Sequence, residues 1–111
     1  MHLEITPEVL VAQLELGHGD ATLAQTNTAM DNTKSFEKFS KHIISLNDKL
    51  KHMNAYIALS NSNPCFKIKC ENKEQEIINE FKEELDHWSN KYEVTLEKVK
   101  NKNVYYIVGR E

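Results

Sequence analysis

Seven apolar side chains, Phe36, Phe39, Ile43, Leu46, Leu50, Met53 and Ile57, follow one another at steps of three and four residues. That spacing is a heptad seam, and it predicts one helix over residues 36–60 with Ser35 as its N-cap. At 1.5 Å per residue such a helix runs about 37 Å, longer than the average helix, so part of its seam is expected to outrun the sheet beneath it. Ser60-Asn61-Ser62-Asn63-Pro64 supplies the stop. Phe66-Lys67-Ile68-Lys69-Cys70 then alternates with period two, which predicts a strand with Phe66, Ile68 and Cys70 facing inward.

Asn72 followed by Gln75 approaches a capping box and opens a helix over 73–89. Its apolar stripe is Ile78, Phe81, Leu85 and Trp88, with Glu74, Glu76, Glu80, Glu83 and Asp86 off that stripe. Period two returns at Tyr92, Val94 and Leu96, Lys100-Asn101-Lys102-Asn103 turns the chain, and residues 103–108 read as a strand that is apolar on both faces.

The first 35 residues carry weaker signals. Thr6 before Pro7 and Glu8 has the form of a helix start, with Val9, Leu10, Leu14 and Leu16 as its apolar side and Gly17 as its end. Gly17-His18-Gly19-Asp20 is a turn, and Asp20 could cap a short helix using Leu23, Ala24 and Met30. Residues 25–35 are rich in Thr and Asn, and a weak helix or an ordered loop is expected there.

The fold these signals add up to is α+β and two-layered, a small three-stranded sheet packed against the long heptad-patterned helix and the helix at 73–89. The C-terminal half reads β-α-β-β, with strands at 66–70, 92–99 and 103–108. Residues 1–35 form an N-terminal helical or loop segment on a 36–111 core, the two making one domain, as expected for 111 residues.

Charge narrows the function. There are 17 acidic and 14 basic residues, a formal charge of −3, and Arg110 is the only arginine. Sequence-specific DNA readers lean on clustered cations and on the two-point fork of Arg, so DNA is not an expected partner. The acids and bases are spread along the chain, so no charged tail stands apart. No apolar run reaches the roughly 20 residues that a membrane span needs, and the first residues lack a signal-peptide layout, so a cytoplasmic location is expected.

Candidate chemistry is sparse. His18 and Asp20 place an imidazole and a carboxylate on one loop, and with Cys65 they are the candidate catalytic residues. Cys65 and Cys70 are the only thiols, five apart, and form neither a CxxC pair nor a zinc pair. Asp48 with His52, and Glu84 with His87, sit at helical spacing and could hold a metal if their two helices faced each other. Phosphate-binding glycine loops and the GxSxG elbow are absent, and no cofactor is expected. Tyr105 with Lys67 and Lys69 could share an outer sheet face, as a platform for single-stranded RNA would.

In the order of their elements, residues 66–111 loosely resemble the C-terminal half of small sulfur-carrier proteins of the TusA type. The resemblance implies a cysteine chemistry carried by a Cys-Pro-x-Pro motif at a helix start. Here Pro64-Cys65 has the reverse order and precedes a strand, so no residue of that family carries over.

The leading expectation is a non-catalytic interaction or regulatory module. It would self-associate as a homodimer by pairing the 36–60 helix through Phe36, Phe39, Ile43, Leu46, Leu50, Met53 and Ile57. The flanking positions Ser40, His42, Asn47, Lys49, Asn54 and Tyr56 offer no complementary charges to specify a foreign protein. Two alternatives stand beside it, a thiol-dependent sulfur-transfer accessory or small enzyme using Cys65, Cys70 or His18, and a weak single-stranded RNA binder working through the sheet face.

Overall fold

The computed structural model describes residues 6–17, 19–60 and 64–110. Along them run α1 (Pro7–Leu14), α2 (Asp20–Asn32), α3 (Phe36–Leu50), a 3-10 turn (Lys51–Met53), β1 (Ala55–Leu59), β2 (Phe66–Cys70), α4 (Gln75–Tyr92), β3 (Val94–Lys98) and β4 (Val104–Arg110). The four strands form one antiparallel sheet in the order β1-β2-β4-β3. The class is α+β as expected, but the sheet has four strands rather than three.

The additional strand comes from the end of the expected long helix. Asn54 takes the left-handed conformation at φ +58 and ends the 3-10 turn, which Asn tolerates better than most residues. The chain then turns extended at Ala55-Tyr56-Ile57-Ala58-Leu59, pairing with β2 from Ala55↔Cys70 to Leu59↔Phe66. Met53 and Ile57 are four apart, a spacing that suits one helix face and also one face of a strand, so the seam pattern continued across the boundary.

Helices α3 and α4 cover one face of the sheet. The Phe36 ring stacks on Phe66 at 5.5 Å, Phe39 meets Trp88 edge-on at 6.3 Å, and Phe81 meets Tyr105 at 6.0 Å. The stripe Ile78, Phe81, Leu85 and Trp88 is buried as read from sequence. All seven seam residues are buried within the single chain, none more than 5% exposed. The expected surplus of seam is therefore not found, and these side chains are not a surface on which a second copy could pack.

Helix α1 starts as expected, with Thr6 Oγ1 accepting from the Val9 N–H at 3.2 Å and Pro7 opening the first turn. Helix α2 is longer than its sequence suggested. Its Thr and Asn side chains donate back to the preceding turn, Thr26 to the Thr22 carbonyl at 2.8 Å and Asn32 to Thr28 at 2.9 Å, while Thr26 and Ala29 are buried. Ser35 sits at φ +57 with no side-chain cap bond, so it shapes the approach to α3 without capping it.

Two polar devices finish the sheet. At the β1 edge, the buried Asn47 of α3 accepts the Ile57 N–H at 2.9 Å through Oδ1, satisfying a donor that no strand meets. At the far end of β4, Lys34 forms a parallel bridge with Gly109, and its carbonyl accepts the Arg110 N–H at 2.8 Å. Register between β3 and β4 shifts between Thr95 and Leu96, leaving Val108 as the extra residue of a bulge. Val108 is also the one large exposed hydrophobic side chain among the described residues, at 45%.

Candidate functional site

Because both sheet-packing helices lie on one side, the other face of the sheet carries the alternate residues of each strand. These include Tyr56 and Ala58 of β1, Lys67 and Lys69 of β2, and Val104 and Tyr106 of β4, every one of them partly exposed. The cross-strand register sets Lys67 opposite Tyr106 and Lys69 opposite Val104. A shallow groove of about 520 Å³ runs over this face, lined among others by Lys67, Lys69, Lys102, Val104 and Tyr106. Three lysines and no acid line it, on a chain whose formal charge is −3.

The expected platform needs one correction. Tyr105 belongs to the covered face, where it packs on Phe81, and burial followed by the Asp86 carboxylate pushes its phenol up. Tyr56 of β1 shares a face with Lys67 and Lys69, opposite Lys69, and of the two β4 tyrosines the one that does so is Tyr106. Sequence reasoning missed it because residues 104–108 are apolar throughout, so their alternation carries no phase; only pairing with β2 assigns it.

Two acids bound the basic groove. Glu71 holds Lys69 at 3.5 Å and accepts the Tyr56 hydroxyl at 2.9 Å. Glu97, on β3, stands opposite Tyr106 on the side away from Lys67. The lysines of the groove therefore lie along β2 and in the β3–β4 turn that carries Lys102.

The candidate catalytic residues do not form a described cluster. His18 lies outside the described residues, Asp20 opens α2 as an exposed residue, and Cys65 lies in the bend before β2. Cys65 borders a hollow of about 410 Å³ lined by Asn32, Glu97, Tyr106, Ile107 and Val108, which holds neither a histidine nor a lysine. Burial and then the Glu97 charge push its thiol above the ordinary range, the opposite of activation. Cys70 is buried, its Sγ 3.7 Å from the Met53 carbonyl.

Of the metal candidates, His52 and Glu84 line one hollow of about 380 Å³ together with Lys49 and Glu80. Asp48 pairs with Lys51 at 3.4 Å, Glu84 with Lys49 at 3.8 Å, and His52 with Glu80 at 3.4 Å, while His87 is exposed on α4. Among the described residues no three His, Cys, Asp or Glu side chains gather closely enough to hold an ion. Also among them, no helix is long and apolar enough to cross a membrane. Comparison with protein-family models, with curated proteins and with solved structures gives no match.

Proposed function

We propose that this chain is a non-catalytic binding module whose ligand surface is the open face of its sheet. One observation carries the reading: Lys67, Lys69 and Lys102 line a single groove with no acid among its lining residues, on an otherwise acidic chain. The thiol alternative finds no support in the raised Cys65 thiol. The homodimer expected from the 36–60 seam loses its basis with the burial of that seam, and the 12.9 kDa chain should sediment as one subunit at micromolar concentration.

Amide chemical-shift mapping with tripolyphosphate, a compact polyanion, tests the reading. Shifts are expected at residues 67–70 and 102–106 and should vanish in a Lys67→Ser/Lys69→Ser double variant. Shifts concentrated on α1 and α2, or none at all, would overturn it.

A further inference from the structure

We infer that the groove takes a single-stranded RNA segment, with one base stacked on Tyr106 and its phosphates on Lys67, Lys69 and Lys102. The inference rests on reading the open face as the binding surface and names the ligand of that surface. Lys67 and Lys69 are two residues apart on one strand face, about 6.8 Å at the usual antiparallel rise, which is near the separation of successive phosphates in an extended strand. Tyr106 lies beside Lys67 on the neighbouring central strand, so a ring and a cation meet one nucleotide together. That pairing of a π-face with backbone cations is how single strands are held without reading their sequence. An acidic peptide would satisfy the lysines and leave the ring without a role. Lys102, in the turn before β4, extends the cationic track beyond Lys69, and Glu71 partly neutralises Lys69.

Fluorescence anisotropy with a labelled oligouridylate of about eight nucleotides tests this, since single strands occupy roughly 4–16 nucleotides on comparable sheet surfaces. Saturable binding is expected at low salt, and its logarithmic salt slope should be about −2, as for three phosphates at 0.7 each. Tyr106→Leu should weaken binding about 5- to 150-fold, the loss of one stacked base, while Tyr106→Phe should hold it within about twofold. Glu71→Gln, which releases Lys69, should strengthen it by up to about fivefold. Trp88 fluorescence and a thermal melt on each variant separate loss of binding from loss of fold.

Binding that survives Tyr106→Leu unchanged overturns the stacking assignment. If an oligoglutamate competes as well as the RNA, the nucleic-acid assignment falls. If RNA fails while tripolyphosphate still maps to residues 67–70, the RNA inference falls and the binding face stands; failure of both probes removes the two readings together.

Discussion

Gly109→Ala should destabilise the protein far more than a surface glycine exchange. Gly109 is buried at φ +136, a backbone region that L side chains rarely adopt. A Cβ built there meets the backbone N and O of Lys34 at 2.6 Å each and the Lys34 Cβ at 2.9 Å. The conformation alone costs about 1–3 kcal/mol in a residue other than glycine. Relieving the contact would move Lys34 away and stretch the 2.8 Å bond from the Arg110 N–H, worth about 0.5–1.5 kcal/mol. Together these give about 1.5–4.5 kcal/mol, which corresponds to a fall in Tm of roughly 6–25 °C for a chain near this size. Gly19→Ala is the matched control, since Gly19 also has positive φ (+96) but nothing within 4 Å of an added Cβ. Its cost should be the conformational part only, about 1–3 kcal/mol, without the contact with Lys34. Thermal melts followed by far-UV circular dichroism would compare the two. If Gly109→Ala melted no lower than Gly19→Ala, close approach at Lys34 would not be what holds this end of the sheet.

Asn47→Ala should cost about 1–3 kcal/mol by leaving the Ile57 N–H buried without an acceptor, and hydrogen exchange at that amide should quicken; unchanged exchange would refute the edge-capping role. At neutral pH, Cys65 should alkylate with iodoacetamide more slowly than free cysteine, and Glu97→Gln should speed it, because that carboxylate opposes the thiolate; rates above free cysteine would revive a thiol chemistry. Burial, then the charges of Lys41 and Lys91, hold His42 below its ordinary 6.5. The unfolded chain therefore binds more protons, so His42's contribution is full above 6.5 and is lost as pH falls through the lower folded value. His42→Gln should flatten the urea midpoint against pH in that window, and an unchanged profile would place the dependence elsewhere.

Where one signal had one interpretation, the sequence was sufficient. The period-two run 66–70 has charged residues on one face only, and the α4 stripe has acids on every other side, so both elements and their inward faces were legible. Residues 51–59 were not, because a step of four residues is shared by a helix face and a strand face, and the deciding event is Asn54 adopting positive φ. In α2 the Thr and Asn side chains that usually disfavour a helix return their hydrogen bonds to its own carbonyls. The groove was half legible: Lys67 and Lys69 were on the correct face, but Tyr106 could be told from Tyr105 only by cross-strand register.

The position of β4 between β2 and β3 bears on how the chain is born. Translation delivers β2, α4 and β3 before any residue of β4 exists. Until it arrives, the hairpin of β1 and β2 is the only sheet a nascent chain can close, and β3 has no strand beside it, although α4 can already lie against α3 through Trp88 and Phe39. Emerging chains should thus hold greasy, unpaired segments in the open, the state that chaperones recognise, and fold in a late concerted step once the central strand slides into place.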